Sequence, residues 1–105
     1  MLKKKNRLTK KEFDFIFKKG GKKFSKNFMF LKMENKDFLK ISTSVSKKIY
    51  KTAVDRNKAR RKIYNLIQND FEKISQNLWG VLIMTKPVLD INDEVLKKEI
   101  LWLLN

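Results

Sequence analysis

Three of the chain's four arginines, Arg56, Arg60 and Arg61, fall within six residues, although lysine supplies the other 22 of its 26 basic side chains. Arginine offers a planar fork that grips phosphate bidentately and stacks on bases, whereas lysine is a hydrated point charge. A chain that uses lysine almost everywhere and gathers arginine at one place points to phosphate recognition at that place. On helical geometry Asn57, Arg60, Arg61 and Tyr64 share one sector, roughly opposite Ala59, Ile63, Leu66 and Ile67. Arg56 lies one turn before Arg60, and Asn57 can read a base edge or a 2′-hydroxyl. A place near a helix N-terminus adds a favourable potential for phosphate. A charged helix face is ordinarily no more than a solvated surface. The concentration of arginine is what argues for binding here.

The charge balance supports a polyanionic partner. Lys and Arg number 26 against 11 acids, a net charge of +15 in 105 residues. Such an excess repels itself in a compact chain unless an anion neutralises it, and nucleic acid comes before an anionic membrane surface as that partner. Catalytic chemistry is poorly provided for. The chain has no His and no Cys, which removes the commonest general base, thiol nucleophiles and Cys-based zinc sites. The acids show no metal-site spacing; Asp55, Asp90 and Asp93 read as helix-start residues. No catalytic residue and no metal ligand is therefore expected in the protein. The longest apolar stretches, near Leu78–Met84 and Ile100–Leu104, are too short to span a bilayer. No signal-type apolar run follows the basic start, so a cytoplasmic protein is expected, with no membrane partner and no small-molecule substrate.

The elements that must position the arginines can be read along the chain. An apolar fraction of 42% fits one folded domain over residues 1–105. Thr9-Lys10-Lys11-Glu12 is a capping box, Leu8 and Phe13 form a hydrophobic staple, and Gly20-Gly21 stops the helix. Phe28–Met33 and Phe38–Ser46 read as strands, with Glu34-Asn35-Lys36-Asp37 as a hairpin loop between them. A further short strand near Lys22–Ser25 is allowed. Thr52 caps the arginine-bearing helix, Trp79–Met84 is a buried-type strand stopped by Pro87, and a last helix follows Asn92. The fold class is α+β, with helices packed on a sheet of about four strands.

The phenylalanines carry two readings. Phe13, Ile16 and Phe17 repeat at helical spacing, which more often marks core than a binding surface. Phe13 and Phe17 can do both, with an edge in the core and a face against a base. Phe24 beside Lys22, Lys23 and Lys26 suits single-stranded RNA, or equally opens a strand. Residues 1–7, with Lys3, Lys4, Lys5 and Arg7, read as a flexible basic arm.

Ser44-Val45-Ser46-Lys47-Lys48, followed by Ala53-Val54-Asp55-Arg56-Asn57-Lys58-Ala59-Arg60-Arg61, resembles the signature of the bacterial ribonuclease P protein subunit. Asn6-Arg7-Leu8, the Phe13 and Phe17 pair, the Phe28 strand, and Trp79–Pro87 with the closing Leu-rich helix extend the likeness over almost the whole chain. The resemblance implies a left-handed strand–helix–strand crossover, a hand that is rare. It implies that Arg56, Asn57, Lys58, Arg60, Arg61 and Tyr64 face the catalytic RNA. Tyr64 stands where the family commonly has another arginine, and it cannot neutralise phosphate. It implies that Phe13, Phe17, Lys47, Lys48 and a strand residue, Phe30 or Leu31, hold the 5′ leader of precursor tRNA. Magnesium would be bound mainly by the RNA subunit, which performs the hydrolysis. The rival readings are a structural RNA-binding protein such as a ribosomal component, a DNA-binding regulator and a self-sufficient metal-dependent nuclease.

Overall fold

A computed structural model describes residues 6–34, 36–74 and 76–105. The first helix, α1 (Lys10–Lys19), begins at the capping box: the Glu12 amide donates to Thr9 Oγ1 at 3.3 Å and the Thr9 amide to Glu12 Oε1 at 2.8 Å. Leu8 and Phe13 pack on one apolar cluster below it. At Gly20, which ends the helix, a Cβ would stand 2.6 Å from the Ile16 carbonyl oxygen. Then follow β1 (Gly21–Phe24), β2 (Phe28–Met33), β3 (Lys40–Ser44), α2 (Ala53–Asn69), β4 (Trp79–Met84) and α3 (Asp93–Leu104). Thr52 Oγ1 caps α2 by accepting from the Asp55 amide at 3.2 Å, and Asn92 Oδ1 caps α3 by accepting from the Glu94 amide at 2.8 Å.

The protein is thus an α+β fold with three helices on a four-stranded mixed sheet, ordered β1-β2-β4-β3. β2 is antiparallel to both β1 and β4, while β3 and β4 run parallel and are joined through α2. This corrects the hairpin expected between β2 and β3, because β4 lies between them. The connection, of which Asn35 lies outside the described residues, crosses the entry to β4 instead. There the Lys36 amide donates to the Asn77 carbonyl at 3.0 Å and the Lys40 amide to the Leu78 carbonyl at 2.9 Å. An apolar strand such as Trp79-Gly80-Val81-Leu82-Ile83-Met84 gains most from a central place, covered on both faces. The tight hairpin is β1–β2. β3 is also shorter than the Phe38–Ser46 expectation, with Phe38 half-exposed before it and Ser46 opening a turn after it.

Strand alternation divides the core. Phe28, Phe30, Ile41, Leu82 and Met84 point to one face, under α2 and α3, where Ala59, Ile63, Leu66, Ile67, Leu96, Ile100, Leu103 and Leu104 complete the main cluster. Leu31 and Val81 point to the other face, where Ile16 of α1 covers them. Each fully buried side chain of this size contributes roughly 1.5–3 kcal/mol. Phe30 is 0% exposed and lies in the main cluster, on the face opposite α1. It therefore cannot line a cleft beside α1, which corrects its expected place there. Leu31 faces α1 but is sealed beneath Ile16. Of the expected arm, Met1, Leu2, Lys3, Lys4 and Lys5 lie outside the described residues. Asn6 is buried and donates from Nδ2 to the Leu39 carbonyl at 2.7 Å, and Arg7 is exposed.

Candidate nucleic-acid interface

The arginine cluster occupies the first turns of α2. Asn57, Arg60, Arg61, Tyr64 and Asn65 line a surface depression there. Arg61, Asn57 and Lys58 are exposed and Arg60 is partly so. Arg60 Nη2 donates to Asn57 Oδ1, which holds the two side chains together. Arg56 plays a different part, since its Nη1 donates to the Tyr50 carbonyl at 3.0 Å and the Lys51 carbonyl at 2.9 Å. It ties the helix to the turn that carries Lys47 and Lys48, both exposed. Tyr64 lines the same depression, but its hydroxyl is engaged from within the protein. It is 8% exposed and its hydroxyl accepts from the Thr43 amide at 2.9 Å, so it forms the floor of the depression and bonds to β3. The helical wheel put Tyr64 in the basic sector but could not show that β3 reaches that flank.

The second candidate surface lies on the α1 face of the sheet, which pairing register resolves into rows. Lys40 and Trp79 sit at one end, with Met33. Ser42, Val81, Leu31 and Lys22 form the middle row, closed by Ile16. Ser44, Ile83, Met29 and Phe24 form the last row, in which none is fully buried. At the Trp79 end the lysines are already engaged within the protein. Lys40 Nζ lies 2.6 Å from Glu12 Oε2 and 5.1 Å from the Trp79 ring centre. Lys36 Nζ lies 4.6 Å from the Trp79 ring centre and 5.7 Å from that of Phe15.

At 3.6 residues per turn, Glu12 and Phe15 fall on one side of Ile16, and Phe13 and Phe17 on the other. Because Glu12 and Phe15 face the Trp79 end, Phe13 and Phe17 face the open row. Their ring centres are 4.8 Å apart, with Phe13 half-buried and Phe17 48% exposed. The same end of the sheet receives the loops after β1, β3 and β4, which bear the exposed lysines Lys26, Lys47, Lys48 and Lys86. A cleft results, with aromatic and apolar walls and a cationic rim. Nothing in the sequence marks Lys86 as part of a site, and only the strand order brings it and Lys26 to the same end of the sheet as Lys47 and Lys48. Among the described residues, no group of three or more His, Cys, Asp or Glu could hold a metal ion. Nor, among them, is any helix long and apolar enough to cross a membrane.

Glu12 fixes the orientation of α1 on this face. Partial burial alone would push its carboxyl up. The Lys40 ammonium and the Thr9 amide and hydroxyl outweigh that and hold it below the ordinary value near 4.5. A carboxyl so lowered stabilises the fold above its unfolded value, and the contribution fades as pH falls through the folded value. Replacing Glu12 by Gln should cost about 1 kcal/mol at neutral pH, from the weakened cap and the lost ion pair. The gap between variant and parent in urea midpoint should hold down to about pH 5 and close below it. A gap that widened on acidification would contradict this account.

The family model for Ribonuclease P matches residues 2–105. Among curated proteins, the chain is similar to the ribonuclease P protein component of Bacillus mycoides (strain KBAB4), 36% identical over 103 residues, covering 95% of this chain and 89% of that one. It is likewise similar to the ribonuclease P protein component of Bacillus pumilus (strain SAFR-032), 35% identical over 102 residues, covering 94% and 85%. Among solved structures, the RNase P protein from Thermotoga maritima matches with a TM-score of 0.83 at 24% identity, covering 93% of this chain and 94% of that one. A Staphylococcus aureus RNase P protein mutant with defective mRNA degradation activity matches with a TM-score of 0.81 at 27% identity, covering 96% and 86%.

Proposed function

The chain belongs to the ribonuclease P protein family, and on that premise we propose that it is the RNA-binding subunit of a ribonucleoprotein that removes the 5′ leader from precursor tRNA. The observation that carries this reading is the separation of two cationic surfaces on opposite faces of one sheet. On α2, the paired Asn57 and Arg60 with Arg61 and Lys58 present forked donors and charge to a structured RNA. Arg56 and the turn it holds link that surface to Lys47 and Lys48. On the other face, Phe13 and Phe17 above Met29 and Ile83 form a cleft wide open to solvent, suited to unpaired bases that stack on aromatic rings. The lysines at its rim neutralise phosphates without selecting a sequence.

Hydrolysis is assigned to the RNA subunit, which would hold the magnesium ions. The protein's contribution is positive charge, a grip on the leader, and through both a lower magnesium requirement. The test is cleavage of precursor tRNA at low magnesium by a bacterial ribonuclease P RNA, with and without this protein. The RNA alone should be nearly inactive, the mixture should cut at the mature 5′ end, and the protein alone should do nothing. RNA binding without rescue of cleavage would replace this reading with a purely structural RNA-binding role.

A further inference from the structure

The cleft does not end at Phe17. In the open row Phe24 pairs with Met29, Met29 with Ile83, and Ile83 with Ser44, so the four side chains form one line across the whole sheet. Phe24 stands at its far end on the edge strand β1 and is 64% exposed. α1 crosses the same strands, from Glu12 beside Lys40 of β3 to Gly20 at the start of β1. Phe13, Phe17 and Phe24 therefore succeed one another in the direction from β3 to β1. From Phe15 to Met33 the chain has six lysines and no acid. Lys22 shares the face of Phe24, and Lys22 and Lys26 are both exposed.

β1 buries none of its four residues, yet it is firmly held. Glu99 of α3 accepts from the Ser25 hydroxyl, the Asn27 amide at 2.8 Å and Asn27 Nδ2 at 2.7 Å, bracing the turn after Phe24. Lys23 Nζ, on the reverse face, donates to the Trp102 carbonyl at 2.8 Å and lies 4.1 Å from its ring centre. An exposed aromatic is thus presented on a braced edge, flanked by cations and continuous with the cleft.

We propose that Phe24, with Lys22 and Lys26, forms a distal subsite for single-stranded RNA that takes the 5′-ward part of a long leader. This rests on the leader-binding reading of the cleft. The direction follows from the β3 edge, which leads through the Ser46–Tyr50 turn into α2 and so lies on the side of the catalytic RNA. The cleavage-proximal leader enters there and its distal part reaches β1. Three strand spacings of roughly 4.8 Å make a path of about 14 Å, which stacked bases at about 3.4 Å per step cover in about four nucleotides.

The test uses holoenzyme reconstituted with a bacterial ribonuclease P RNA and measures affinity for precursor tRNAs with leaders of roughly two, five and ten nucleotides, and for mature tRNA. Phe24→Ala should leave mature tRNA and the shortest leader unchanged and weaken the longest by about five- to 150-fold, with Phe24→Trp restoring it. Phe17→Ala should already weaken the shorter leaders. If Phe17→Ala shows leader dependence and Phe24→Ala shows none at any length, the subsite is wrong and the cleft stands. If neither variant depends on the leader, the reading of the cleft itself fails. Equal losses for Phe24→Ala on all substrates, mature tRNA included, would make it a general contact and overturn the subsite.

Discussion

Replacing Arg60 and Arg61 together by Ala is expected to weaken binding to the catalytic RNA by about 2–6 kcal/mol, at least about 30-fold, while leaving the thermal midpoint almost unchanged. Each guanidinium can make charge-assisted, bidentate contacts with phosphate or with a base edge, roughly 1–3 kcal/mol apiece. Neither side chain is fully buried, and both lie off the apolar face of α2 formed by Ala59, Ile63, Leu66 and Ile67, so truncation opens no cavity. The salt dependence should change too. Losing two phosphate contacts lowers the slope of log affinity against log salt by about 1.5. Arg56→Ala should behave differently, because its guanidinium satisfies the Tyr50 and Lys51 carbonyls, and part of its cost should appear as lost stability. Filter binding across a salt series and a thermal melt separate the cases. Unchanged affinity in the double variant would remove α2 from the RNA interface.

How much of this could be read before folding depended on whether a feature was local. The capping box at Thr9, the start of α2 at Thr52 and its apolar face rest on contacts within a few residues, and all are present. The bounds of β2 and β4 match because each is an apolar run closed by polar residues. What local pattern cannot give is the sheet face a side chain takes when helices cover both. Phe28-Met29-Phe30-Leu31 is apolar throughout, so no alternation marked Phe30 as facing α2 and α3 rather than α1. Nor could spacing show that β4 inserts between β2 and β3, a pairing set by long-range burial. The lysine rim of Lys26, Lys47, Lys48 and Lys86 and the Glu99 brace became visible only with that strand order. The bond from the Thr43 amide to the Tyr64 hydroxyl was equally hidden, because a helix flank seen from sequence alone has no neighbours.

Phe30 and Phe17 give the sharpest separation of core from site. Phe30→Ala is expected to cost about 3–5 kcal/mol of stability. Its ring is fully buried and fills the space over Gly80, where even an added Cβ would stand 2.2 Å from Phe30 Cζ. Sheet and ring are fitted to each other at this point, so surrounding side chains have little room to collapse into the cavity. Against a total of about 5–15 kcal/mol for a domain of this kind, the loss leaves a marginal fold. Phe17→Ala removes a ring that is about half exposed, and should cost less than about 1 kcal/mol. Its effect should instead fall on the affinity difference between precursor and mature tRNA, by about 1–3 kcal/mol for one stacked base. Urea denaturation paired with the two tRNA affinities measures both quantities on the same preparations. A Phe30→Ala protein with an unchanged urea midpoint but a leader-specific defect would return Phe30 to the cleft and refute the assignment of sheet faces. A Phe17→Ala protein that loses stability and no leader preference would place Phe17 in the core, leaving the cleft without the ring that makes it a base-stacking site.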